Sequence, residues 1–145
     1  MKTTICFFSF LLVVLVISSV RANTLADKNA VKEFAAGVMD RVGQGKTTEA
    51  LMMMKPYMII PDAEFDVMKD QLATQAPVIT KKFGKSIGSE FIKITEVGKS
   101  LMRVVYIQKF EKSIIRWGFY FYRPKDRWTL NSFRTDTDLN QLFCQ

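Results

Sequence analysis

The 145-residue chain contains no histidine. That absence removes Ser-His-Asp triads, Cys-His pairs, histidine-ligated zinc and the usual general base near neutral pH. Cysteine is almost as scarce, with Cys6 and Cys144 alone. No thiol cluster exists to build a structural zinc site, so neither metal nor cofactor is expected. Carboxylates are also missing where a catalytic acid would be most telling. None occurs between Leu101 and Phe110 or between Ile114 and Arg123, the two most aromatic stretches. The single long apolar run, Ile5 to Ile17, is shorter than the ~20 residues that a bilayer core requires of a helix.

That run is better explained as part of an export signal. Lys2 gives a positive start, the apolar run follows, and Ser18-Ser19-Val20-Arg21-Ala22 places small residues where a signal peptidase reads them. Residues 1–22 are therefore expected to be a signal peptide cleaved before Asn23. Cys6 lies inside the apolar run rather than just after it, which argues against a lipoprotein. The mature product, residues 23–145, has the size of one domain with one core. It is expected in the periplasm or outside the cell, with no stable membrane insertion after cleavage. Its net charge falls from +7 to +5, because Lys2 and Arg21 leave with the signal. Cys144 then has no partner within the chain. It is either an incidental thiol in a frayed tail or a candidate for an intersubunit disulfide.

The mature chain changes texture near residue 83. Ala30, Val31, Phe34, Ala35, Val38, Met39 and Val42 follow helical spacing over about 26–42, with Asp27 as the cap and Gly43-Gln44-Gly45 as the stop. A second helix is predicted from Thr47 to about Tyr57, its Met52-Met53-Met54 run serving as core filler. A third starts at Pro61 with Asp62 and Glu64 in its first turn. It carries Phe65, Met68, Leu72, Ala76, Ile79 and Phe83 as one stripe and ends at Gly84. Pro77 lies inside it and is expected to kink it, or to split it after Ala76.

Beyond Gly84 the period moves towards two. Strands are predicted at about 90–97, 100–110, 113–123 and 128–134, joined by short turns into an antiparallel meander. Helices followed by strands give an α+β fold, with three N-terminal helices packed on one face of a four-stranded antiparallel sheet. If Phe110 opposes Ser113, then Tyr106 lies beside Trp117, Val104 beside Phe119, Met102 beside Phe121 and Gln108 beside Ile115, on the face that meets the helices. The opposite face carries Arg103 beside Tyr120, Leu101 beside Tyr122, Val105 beside Gly118 and Ile107 beside Arg116.

Three stretches carry a family resemblance. Phe34-Ala35-Ala36-Gly37-Val38-Met39 reads as a first helix, and Ala50-Leu51 to Lys55-Pro56-Tyr57 as a second. The strand Ile115-Arg116-Trp117-Gly118-Phe119-Tyr120-Phe121-Tyr122 leads through Arg123-Pro124 to Trp128-Thr129-Leu130-Asn131-Ser132-Phe133. In element order and texture the mature chain resembles the NTF2-like (cystatin-like α+β) superfamily, in particular its small exported bacterial members. The resemblance implies a curved sheet wrapped around a helix, leaving a cone-shaped pocket open at one end, and frequent dimerisation through the sheet. Members include isomerases, dehydratases, transport adaptors and non-enzymatic binding modules.

Two features suggest where this chain works. Charge is segregated: residues 23–80 hold 6 basic and 8 acidic side chains, residues 81–134 hold 13 and 4. A basic sheet set against acidic helices suits a solvated face with solubilising lysines, or an anionic partner. The candidate ligand-binding residues are Arg103, Tyr106, Arg116, Trp117, Tyr120 and Tyr122, because aromatics and arginines line sites for planar or anionic ligands. The same residues also suit plain cross-strand packing or a dimer contact. An enzyme would have to use a pocket tyrosine or carboxylates such as Glu64, Asp66, Asp70 or Glu96. Gly43-Gln44-Gly45-Lys46-Thr47-Thr48 lacks the spacing and preceding strand of a phosphate loop. The expectation is a non-catalytic accessory domain that binds a small molecule or an envelope protein through its sheet or pocket. A small isomerase or hydrolase and a structural homodimer are the alternatives. Nucleic acid is not expected, since no recognised binding motif is present.

Overall fold

The computed structural model describes residues 22–143, so the expected signal peptide (apart from Ala22) and Cys144 lie outside the described residues. The order is α1 (Lys28–Gly43), α2 (Thr47–Met54), a 3-10 turn (Lys55–Tyr57) and α3 (Asp62–Phe83), then β1 (Ser86–Val97), β2 (Leu101–Phe110), β3 (Ile114–Tyr122) and β4 (Thr129–Asp136). A one-turn α4 (Asn140–Phe143) closes the described chain. The fold is α+β around a four-stranded antiparallel sheet of order β1-β2-β3-β4. Helix count and order differ from the expectation of three N-terminal helices, because α4 follows the sheet and a 3-10 turn extends α2.

Local chemistry accounts for the helix ends. Asp27 accepts from the Ala30 amide at 2.9 Å and caps α1. Asp62 and Glu64 sit at the positive end of α3, and Lys81 and Lys82 at its negative end. Gly84 (φ 85°) then takes a left-handed conformation that other residues disfavour. Pro77 does not split α3, which runs unbroken for 22 residues.

The β2–β3 register is the one expected from the turns, from Leu101 opposite Tyr122 to Gln108 opposite Ile115. β1 begins four residues earlier than predicted. Two irregularities, at Ser86/Gly88 and Phe91/Lys93, break its period of two and hide it from pattern reading. β4 runs two residues past Arg134, so that Asp136 pairs with Arg116.

The core lies between the helices and one sheet face. Val31, Ala35, Val38, Met39 and Val42 of α1 are fully buried, as are Phe119 and Leu130 from the sheet. Phe121, Met102 and Val104 are almost as deep, and Phe34 meets Phe121 edge-on at 6.2 Å. Apart from Ala35, each such side chain contributes ~1.5–3 kcal/mol on burial. Gln108, 4% exposed, donates to the Val42 carbonyl at 2.9 Å and to Ser86 Oγ at 3.1 Å, tying α1 to β1 and β2. Of the three consecutive methionines only Met54 is core, since Met52 and Met53 are exposed. The helical turn aims just one of three successive side chains inward. Residues ahead of α1 are also fixed: Leu25 and Trp128 exchange backbone hydrogen bonds at 2.8 and 2.9 Å.

Candidate functional site: a cleft beneath the third helix

α3 is held most firmly at its two ends and packs only partly between them. Phe65, near its start, is its only buried residue. At its end Phe83 meets Phe110 edge-on at 5.9 Å. There the Phe83 carbonyl accepts from the Lys112 amide at 2.9 Å, and the Lys85 amide donates to Glu111 Oε2 at 3.0 Å. Between these anchors, residues 71–80 are exposed except for the half-buried Leu72 and Ile79. Met68, Leu72, Ile79 and Phe83 of the predicted stripe pack against the core, and the middle of the stripe also roofs a space.

That space is a cleft of about 370 Å³. Its floor is Gln108, Phe110, Ile115, Trp117 and Thr135, and its roof is Leu72, Gln75, Ala76, Ile79 and Thr80. Gln44, Gly45, Thr47, Lys85 and Ser86 complete the lining. The only charged side chain lining it is Lys85, and no carboxylate or tyrosine does. Trp117 is 3% exposed, stacked between Phe133 at 5.9 Å and Phe119 at 6.2 Å. Its indole Nε1 is buried and has no hydrogen-bond partner among the described residues. A buried N–H left in this state costs ~1–3 kcal/mol.

The six sequence candidates fall on opposite sides of the sheet. Trp117 floors the cleft. Tyr106 shares its face but lies outside the lining, edge-on to Phe91 at 5.4 Å, and burial pushes its hydroxyl pKa up. Arg103, Arg116, Tyr120 and Tyr122 belong to the outer face. Arg116 is committed to Asp136 through two hydrogen bonds, one of 3.0 Å from Nε to Oδ1. Arg103 and Tyr120 border a shallow hollow of about 280 Å³, and Tyr120 and Arg134 a neighbouring one of about 350 Å³. The carboxylates weighed as catalytic lie elsewhere. Glu64, Asp66, Asp70 and Glu96 are exposed, Asp66 held by Lys69 at 2.8 Å and Glu96 by Lys28 at 2.7 Å. Among the described residues no group of three or more acids or cysteines could hold a metal.

Sequence reasoning missed Lys85, Gln108 and Thr135 as cleft residues. Gln108 had a signal, a lone amide amid apolar alternation. Lys85 and Thr135 had none, because they enter through the α3–β1 joint and the unpredicted end of β4. Gln44, Gly45 and Thr47 of the discarded phosphate-loop stretch line the cleft without forming such a loop. Comparisons with protein-family models, with curated proteins and with solved structures give no match to this chain. No helix among the described residues is long and apolar enough to cross a membrane.

Proposed function

We propose that the chain is an exported, non-catalytic domain of NTF2-like type that holds a small amphipathic molecule in the cleft beneath α3. The lining carries this reading: Phe110, Ile115 and Trp117 below and Leu72, Ala76 and Ile79 above give apolar surface, interleaved with uncharged polar groups, one lysine and no acid. Such a surface suits a ligand with an apolar body and an anionic or acceptor-rich head. The volume is near the lower end of small-molecule pockets, ~300–1,000 Å³. An isomerase or hydrolase acting here would need an acid or tyrosine facing the ligand, and the lining supplies neither, which favours binding over turnover. The NTF2-like assignment draws support from the order of helices and antiparallel strands, and from irregularities in both edge strands that bend a sheet around a helix.

Export draws support from the signal-like residues 1–22, and the first described backbone contact is compatible with it. The Asn23 amide donates to the Pro56 carbonyl at 2.6 Å. Cleavage before Asn23 would leave an α-ammonium beside the same acceptor, so processing costs the fold nothing at this point. The product would then be periplasmic or secreted.

Native mass spectrometry of protein expressed from the full sequence in an exporting bacterium tests the export and ligand readings together. A mass lacking residues 1–22 and carrying an extra small molecule is expected. Calorimetric titration with decanoate, decanol and decylammonium then tests ligand class. Decanoate should bind best, Lys85→Gln should weaken it, and Ala76→Trp, which fills the cleft, should abolish it. Failure of all three amphiphiles with no copurifying molecule would sink the cleft reading.

A further inference from the structure

We propose that the chain forms a two-fold homodimer through the free edge of β4. The open edge, its charge pattern and the neighbouring helix surface all point to a second copy as the occupant.

β4 is an edge strand only in part. Its beginning is covered, since Leu25 bridges Trp128 and Met58 bridges Leu130 in parallel. From Ser132 to Asp136 no other strand or bridge covers it among the described residues. An uncovered stretch of N–H and C=O groups is a template for another strand unless it is blunted. The opposite edge, β1, is blunted by two register irregularities and by charged Glu90, Lys93 and Glu96. β4 beyond its single irregularity is regular.

The charge pattern of that stretch is complementary to itself. Arg134 and Asp136 lie on the outer face, opposite Gly118 and Arg116, whereas Thr135 lies on the helix face opposite Trp117. Residues directly opposite in an antiparallel pair share a face. With a two-fold axis through Thr135, Arg134 of each copy therefore meets Asp136 of the other, and Thr135 meets Thr135. The Arg134 side chain makes no hydrogen bond or ion pair among the described residues. Asp136 already accepts from Arg116, but a carboxylate offers about four acceptor sites and can hold a second guanidinium. A two-fold contact needs this kind of self-matching patch.

The helix side of the same edge is also unfinished. A groove of about 550 Å³ runs between α3 and the end of β4, lined by Thr74, Val78, Phe83 and Thr137 among others. Val78 and Val67, on the same α3 face, are 65% and 57% exposed. The proposed register sets the half-buried Phe133 of the second copy opposite Thr137, on the groove side. Joining the edges covers backbone, groove and the exposed valines in one step.

Sedimentation velocity on protein expressed from the full sequence, at ~100 µM, reads the assembly directly by mass action. A dimer is expected. Arg134→Glu should set like charges opposite one another and weaken it about tenfold or more. Val78→Asp, at a site too exposed to unfold the monomer, should weaken it as well. In a Cys144→Ser background, Thr135→Cys should cross-link two copies on mild oxidation and Glu90→Cys, on β1, should not. A monomer at that concentration overturns the proposal. So does a dimer indifferent to both Arg134→Glu and Val78→Asp, or a Thr135→Cys protein that does not cross-link.

Discussion

Arg116 and Asp136 face each other across β3 and β4, Nε donating to Oδ1 and Nη2 to Oδ2 in a two-pronged pair on the outer sheet face. The pair lies where β4 outruns its predicted end, and it closes the last rung of the ladder. Arg116 is 9% exposed, so its charge sits in a setting where an unpaired guanidinium would be costly. Asp136 also accepts from the Asp138 amide at 3.0 Å, which turns the chain away from the sheet.

A pH dependence follows from this pair. Hydrogen bonding to Arg116 holds the Asp136 carboxyl below its ordinary value of ~3.9. A depressed folded-state pKa contributes stability that is present above the unfolded value and lost as pH falls through the folded one. Urea denaturation of wild type and Asp136→Asn should therefore differ most near neutrality, with wild type the more stable. The gap should close as pH drops below the ordinary aspartate range. A gap that stayed constant with pH would mean the pair adds no charge-linked stability.

Gly43 is a second test, this time of packing. α1 comes so close to β1 that a Cβ on Gly43 would lie 2.8 Å from the Ser89 amide nitrogen and 3.0 Å from the Gly88 carbonyl carbon. Both are backbone atoms and cannot rotate away. Gly43→Ala should destabilise the domain by ~1–3 kcal/mol, although alanine is the better helix former. Thermal or chemical denaturation checks the sign, and a stabilised variant would refute the close approach.

Gln108 tests the polar seam beside the cleft. Its amide serves the Val42 carbonyl at the end of α1 and the Ser86 hydroxyl at the start of β1. Gln108→Leu keeps most of the volume but strands those acceptors in a buried setting, at ~1–3 kcal/mol. Gln108→Glu would place an acid in the wall of a cleft that otherwise has none, so decanoate affinity should fall further than stability does. Denaturation and calorimetry on the two variants separate the effects.

Much of the fold was legible because its cues are local. Capping at Asp27, the stop at Gly43 and the short Glu111-Lys112 connection fix α1 and the β2–β3 register from neighbouring residues alone. What could not be read depends on contacts distant in sequence. The start of β1 is masked by two irregularities, and α4 follows a stretch that reads as a tail. The site was legible only in part. Trp117 stood out as a large aromatic on the helix-facing side. The cleft beside it, however, depends on how loosely α3 packs between Phe65 and Phe83, where only Met68, Leu72 and Ile79 reach the core, and periodicity does not encode that spacing. Arg103, Tyr120 and Tyr122 share Trp117's neighbourhood in sequence and lie across the sheet from it, as a period of two requires.

Pro77 connects the helix to the cleft it roofs. It follows Ala76 and precedes Ile79, both in the roof, and it is itself exposed. Proline in a helix interior is ~3 kcal/mol worse than alanine, because it leaves the carbonyl four residues back without its donor and crowds it. Here that carbonyl belongs to Ala73, on an exposed turn where water can serve it. Pro77→Ala should therefore stabilise the domain by ~1–3 kcal/mol, the lower part of the range reflecting that solvation. Prolines also let helices bend. If the ring helps to keep α3 clear of Ile115 and Trp117, the same variant should bind decanoate more weakly while melting at a higher temperature. Opposed shifts in stability and affinity would identify Pro77 as a residue kept for the cleft at the expense of the helix. A gain in stability with affinity unchanged would place that spacing in the two anchors alone, and a loss of stability would show that the ring packs against something the fold depends on.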